Sequence, residues 1–232
     1  MNAEPAADRS RAAQSLRRSS LLRTLPPAAI AQLAAGSTLL SPLRGERLFD
    51  HHQRCAGLYT VASGRIALNV SAEAGPGKVI DLIGPGGHAG LAAAVLDANH
   101  TTSAEALTDS TLVLTPRETL LECGGAFAEL WPQLAAALSR QVCGLVTDVT
   151  AFALNSGRER VARYLFEIAT RRGGHRQPVA LPAKKSIIAS RLNLTPEYFS
   201  RMLHELIADG AIAVNGRNIT VLDPARLRDC RH

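Results

Sequence analysis

The spacing of apolar residues changes twice along the chain. Between residues 37 and 115 they come in short runs, "GLYTVASGRIALNV", "KVIDLIGPGG" and "STLVLTP", punctuated by Gly, Pro, Asn and Asp. Val61, Ile66, Leu68 and Val70 partly alternate with small or polar residues. This texture predicts many short strands joined by tight turns, an antiparallel barrel or β-roll. Ahead of it, residues 16–35 read as a short helical lead-in, with Pro26 and Pro27 suited to a first helical turn. Residues 1–15 are Ala-rich and polar and are expected to form a disordered tail.

From Pro116 the period becomes helical. Trp131, Leu134, Leu138, Val142, Leu145, Val149 and Phe152 follow one another at steps of three or four, a heptad-like seam. Such a stripe can pack on its own β-roll or against the same helix of a second chain, and its length favours the second use. The expected dimer seam is therefore Leu138, Val142, Leu145, Val149 and Phe152, on a helix over 127–153. Ser156 and Glu159 have capping-box spacing, Asn155-Ser156-Gly157 reads as a hinge, and "RERVARYLFEIATRR" predicts a further helix stopped at Gly173-Gly174. The chain thus divides into a tail (1–15), a β-roll (16–126), a seam helix (127–153) and a C-terminal module (154–232).

In that module "KKSIIASRL" predicts a short helix with Ile187, Ile188 and Leu192 on its apolar face. "NLTP" breaks it. Asn193 tolerates a left-handed turn, Thr195 can cap, and Pro196 is pre-organised for a first helical position. The next helix sets Phe199, Met202, Leu203, Leu206 and Ile207 against Glu197, Ser200, Arg201 and His204. Two helices separated by about three residues are a helix-turn-helix. Asn215-Gly216 between apolar runs adds a hairpin wing.

Charge sharpens this picture. The net +6 is uneven: residues 153–232 hold 14 Lys/Arg against 7 Asp/Glu, and residues 1–152 hold 12 against 13. A basic module beside a near-neutral one is the footprint of a nucleic-acid binder, and double-stranded DNA is the expected partner. In a helix-turn-helix the start of the second helix meets base edges in the major groove. Glu197, Ser200 and Arg201 lie there. A guanidinium reads guanine, a carboxylate accepts from cytosine, and a hydroxyl serves several edges. Lys184, Lys185, Arg191, Thr195 and Arg217 are expected at phosphates, which position without specifying.

Other classes recede. No apolar run approaches the roughly 18 residues a membrane span needs, and no continuous apolar segment follows Arg17-Arg18, so a cytoplasmic protein is expected. Cysteines 55, 123, 143 and 230 share no C-x-x-C spacing and read as reduced structural thiols. "GPGGHAG" lacks the Lys-Ser/Thr ending of a P-loop, and no paired carboxylates or Ser-His-Asp order suggest an enzyme.

The order of β-roll, long helix, helix-turn-helix and wing, and above all "ASRLNLTPEYFSRMLHELIADGAIAVNGRNITVLD", resembles the CRP/FNR superfamily of bacterial transcription regulators from about residue 16 to the end. Glu197-x-x-Ser200-Arg201 looks like the FNR-type reading head, which implies a palindrome of TTGAT-like half-sites. Pro196 stands where the CRP branch carries an arginine. The segment is most similar to the FNR/DNR branch, associated with nitrogen-oxide sensing. The resemblance further implies a homodimer, RNA polymerase as a partner, and a cyclic-nucleotide-binding-like fold for the β-roll.

That fold's phosphate cassette carries a Gly-Glu pair and an Arg-Ser pair. Here Ala89-Gly90 and Thr102-Ser103 stand about where they belong. A buried cyclic phosphate without its cation is costly, so cyclic AMP is not the expected effector. An FNR-type iron–sulfur cluster is not expected either, since no cysteine precedes Cys55. His51, His52, Cys55, His88 and His100 remain as ligands for haem iron. His51, His52 and His100 sit in polar loop text and read as solvated. His88, among small residues, is the favoured haem ligand, with nitric oxide as the sensed molecule. The alternative is a ligand-independent DNA-binding protein whose β-roll is only a scaffold.

Overall fold

The computed structural model describes residues 3–70, 77–171 and 177–229; the helix stop expected at Gly173-Gly174 and Cys230 lie outside them. The chain forms two compact units, Met1–Val142 and Cys143–His232.

The first unit opens with helices α1 (Ala3–Arg18) and α2 (Pro27–Ala35) and continues through strands β1 (Thr38–Leu40), β2 (Arg47–Phe49), β3 (Gly57–Ser63), β4 (Ile66–Val70), β5 (Lys78–Ile83) and β6 (His88–Ala89). Then come α3 (Leu91–Leu96), β7 (Ser103–Ala106), β8 (Thr111–Pro116), α4 (Arg117–Ala126) and the start of α5 (Leu130–Leu154). Two antiparallel sheets result, ordered β1-β8-β3-β6 and β2-β7-β4-β5. One core lies between the sheets, around Phe49, Tyr59, Val61, Ile66 and Leu112. A second packs the helices on the first sheet through Leu16, Leu22, Ile30, Leu58, Val113 and Leu134. Alternate residues of β3 serve different cores: Leu58 joins the helical cluster, Tyr59 and Val61 the other. Burial on both faces explains the nearly continuous apolar run.

Residues 3–15, expected as a disordered tail, belong instead to α1. Its alanines are strong helix formers, and Ala12 and Leu16, one turn apart, are buried in the helical cluster. Ala13 packs beside them, and these few anchors are too sparse to show as a stripe, yet enough to dock the helix.

The second unit holds the end of α5, then α6 (Gly157–Arg171), β9 (Pro178–Ala180), α7 (Lys185–Arg191), α8 (Pro196–Ala208), β10 (Ile212–Asn215), β11 (Asn218–Val221) and α9 (Pro224–Asp229). The capping box is present: Glu159 N–H donates to Ser156 Oγ at 3.2 Å, and Ser156 N–H donates back to the Glu159 carboxylate. Gly157 permits the close approach of α8, because a Cβ there would lie 2.3 Å from Cε1 of Tyr198. Phe199, Met202, Leu203 and Leu206 are buried beneath α8, whereas Ile207, read as a fifth apolar contact, is exposed. The hairpin turn is centred on Gly216-Arg217, one residue later than the Asn-Gly signal suggested, with Asn215 paired to Asn218 and positive φ at Gly216. Strand β9, too short to stand out in the sequence, completes the sheet β10-β11-β9.

Candidate nucleic-acid interface

The helix-turn-helix is closed by local bonds. Asn193 adopts a left-handed φ of 55°, Leu194 N–H donates to Ala189 carbonyl at 2.9 Å, and Tyr198 N–H donates to Thr195 Oγ1 at 3.2 Å. These bonds stop α7, turn the chain and cap α8. Glu197 and Arg201 are exposed at the open end of α8, and Ser200 is half-buried between them. The Arg201 guanidinium carbon lies 4.7 Å from the Tyr198 ring centroid, and its Nε is 4.0 Å from Glu205 Oε1. Arg201 is thus held along its own helix by a cation–π contact. Tyr198 went unnoticed in the sequence. Its place three residues before Arg201 was the available signal.

Lys184 and Lys185 are exposed at the start of α7. Thr195 is exposed and its oxygen accepts the capping bond, which leaves the hydroxyl proton to donate. Arg217 is exposed at the wing turn, with Nη2 donating to Leu181 carbonyl at 3.2 Å. Arg191 is elsewhere. Its Nη2 lies 2.6 Å from Asp148 Oδ2 of α5, and the two side chains are only 20% and 22% exposed. Arg191, expected at phosphate, here has its charge met by a carboxylate inside the unit.

The apolar stripe of α5 divides between its two possible uses. Leu134 is buried, and Leu138 packs, half-buried, on the helical core of the first unit. Val142, Leu145, Val149 and Phe152 stand 37% to 65% exposed. Val146, which the heptad reading missed, joins them. Five apolar side chains within three turns form a contiguous patch of the kind that marks an interaction surface.

Sequence comparison agrees with this geometry. Residues 159–230 match the Crp-like helix-turn-helix domain, and residues 41–124 match the cyclic nucleotide-binding domain. The chain is 27% identical over 189 residues to the fumarate and nitrate reduction regulatory protein of Vibrio cholerae, covering 80% of this chain and 75% of that one. The chain belongs to the Crp/FNR family. It is a DNA-binding transcription regulator of that type. The Escherichia coli K12 protein of the same name is 26% identical over 181 residues, covering 77% and 72% of the two chains. The fold matches the structure of FixK2 from Bradyrhizobium japonicum with a TM-score of 0.78, at 24% identity over 84% of this chain and 98% of the other.

In the β-roll of this regulator Gly90 is tightly enclosed. Its φ is +80°, and a Cβ would lie 2.8 Å from the Gly57 carbonyl oxygen and 3.4 Å from both His100 Cε1 and Tyr59 Cδ2. No side chain fits there without displacing backbone. His100, expected in solvent, is 3% exposed and stacks on Phe49 with ring centroids 3.7 Å apart. Its loop is drawn inward by His100 N–H donating to Gln53 carbonyl at 2.9 Å. Burial pushes its pKa down. Cys55 Sγ lies 3.3 Å from the Gly57 carbonyl oxygen, and burial raises its thiol pKa. His51 and His52 are exposed.

His88 sits on β6 opposite Thr60 of β3. Its Nδ1 is buried without a hydrogen-bond partner among the described residues. Burial, with Arg140 nearby, lowers its pKa, and Asp81 acts in the opposite direction. Among the described residues no three His, Cys, Asp or Glu side chains cluster to hold a metal ion, and no helix is long and apolar enough to cross a membrane.

Proposed function

We propose that this regulator works in the cytoplasm as a homodimer that reads a palindrome of TTGAT-like half-sites and acts on RNA polymerase. The two chains meet through Val142, Leu145, Val146, Val149 and Phe152. Glu197, Ser200 and Arg201 read base edges, and Lys184, Lys185, Thr195 and Arg217 meet phosphates. The observation that carries this reading is the exposure of Glu197 and Arg201 at the capped, open start of α8. The test compares the chain's affinity at fixed salt for a TTGAT palindrome, the same bases scrambled, and random DNA. A preference of at least about 10³ for the palindrome is expected, and equal affinities overturn the reading.

The effector on this reading is not cyclic AMP. Haem is proposed, with His88 as axial ligand, because its buried Nδ1 has no partner and a neutral imidazole binds iron. Bound haem would supply an iron that takes nitric oxide. Titrating the folded protein with haem should give a sharp Soret band that His88→Ala shifts. The crowding at Gly90 favours a second reading, in which the β-roll is a ligand-independent scaffold. Absence of haem uptake selects it.

A further inference from the structure

Over residues 143–150 of α5 every side chain is exposed except that of Asp148. Its carboxylate is where this stretch of the long helix meets the DNA-binding module. Oδ2 takes Arg191 Nη2 at 2.6 Å, and Oδ1 faces Arg163 Nη2 at 3.6 Å. Arg163 belongs to α6, and its Nε is also 3.5 Å from Glu167. Arg191 is the last residue of α7, immediately before the turn into α8. One acid therefore joins three helices, with all three paired side chains less than a quarter exposed. Ala151, one turn on, is buried on the same face.

Asp148 also borders the apolar stripe. Leu145 precedes it by three residues, Val149 follows by one and Phe152 by four, so the pairs at three and four lie beside it on the helix surface. A partly desolvated carboxylate between two guanidinium groups is directional, and removing one member leaves the others uncompensated. A dimer on a palindrome must present its two recognition helices about one DNA turn apart, roughly 34–36 Å. That separation depends on how rigidly each helix-turn-helix is held to the seam.

We infer that Asp148 is the positioning residue that locks the helix-turn-helix to the seam helix, through Arg191, and thereby sets the half-site spacing the dimer accepts. This rests on the dimer-on-palindrome reading. Arg191 is then an anchor and contributes nothing directly at phosphate.

The test uses the full chain and its Asp148→Asn and Asp148→Glu variants. Affinity is measured for a single half-site, for the palindrome, and for palindromes with one base pair inserted or removed between half-sites. Sedimentation and thermal melting are run alongside. Asp148→Asn should weaken binding to the correctly spaced palindrome by about tenfold. Half-site binding should change less than twofold, and discrimination against altered spacing should shrink with the palindrome affinity. Asp148→Glu should recover part of both losses. If Asp148→Asn proves too unstable, Arg191→Lys keeps the charge, loses the guanidinium fork, and should show the same pattern in weaker form. Equal losses on half-site and palindrome, or none on either, overturn the inference. A wild-type chain that binds a half-site as tightly as the palindrome overturns the dimer reading and this inference with it. A wild-type spacing preference that Asp148→Asn leaves intact overturns this inference alone.

Discussion

Arg201 rests on Tyr198 and near Glu205 while most of its side chain faces solvent. Both contacts are weak enough to exchange for a guanine edge, which offers two acceptors to one guanidinium. Arg201→Ala should cost about 1–3 kcal/mol on a specific site and relax preference at one base pair. Lys184→Ala should weaken specific and random DNA alike and flatten the salt dependence. Titration at fixed salt separates them, and equal loss on both DNAs for Arg201→Ala would remove it from base readout. The buried histidines make a different prediction. His88 and His100 have folded pKa values below the ordinary value of 6.5, so below that pH the unfolded chain binds more protons than the folded one. Their contribution is fully present above about pH 6.5 and is lost as pH falls through the lowered folded values. The denaturant midpoint should drop between pH 7.5 and 5.5, and His100→Phe should reduce the slope. A flat midpoint would show that neither histidine is held neutral by the fold. Gly90→Glu belongs here too: the added side chain meets the Gly57 carbonyl, so the variant should lose stability and still show no cyclic AMP binding by calorimetry.

Among the elements, α5 is the one whose two halves do different work. Its first half is buried through Leu134 and Ala137, and its second presents Val142, Leu145, Val146, Val149 and Phe152 to solvent. Leu145→Asp places an unpaired charge in the proposed seam. Sedimentation should show monomers and palindrome binding should collapse while half-site binding persists. A variant that remains dimeric puts the seam elsewhere. The start of α6 offers a purely structural counterpart. Ser156→Ala removes the acceptor for Glu159 N–H and should cost about 1 kcal/mol in thermal or denaturant unfolding, with no change in base preference.

For the whole molecule, what was legible from sequence is what rests on neighbours in the chain. The left-handed Asn193, the Thr195 cap, the Ser156–Glu159 capping box and the alternation from strand to helix periodicity all arise from residues within a few positions of one another. The helix-turn-helix with its wing and the family follow from such signals, whereas the long helix, read as a piece of its own over 127–153, is divided between the two units after Val142. The rest depended on partners far along the chain. Arg191 read as a phosphate contact because its partner Asp148 is 43 residues away. His100 read as solvated because its polar neighbours conceal a stack on Phe49, half the β-roll away. Helix α1 docks through Ala12, Ala13 and Leu16 on a core built by later segments. Periodicity likewise reveals that one face of α5 is apolar without saying what covers it, and Leu138 and Val149 share a stripe but not an environment. Local backbone preference and capping act over one or two turns, so the sequence alone determined most elements and their order, but not α1 or β9, which rest on distant partners. Burial and charge pairing act between surfaces that only folding brings together, and tertiary structure alone decided that Arg191 pairs with Asp148, that His100 is dry and that the second half of α5 keeps its apolar face in solvent.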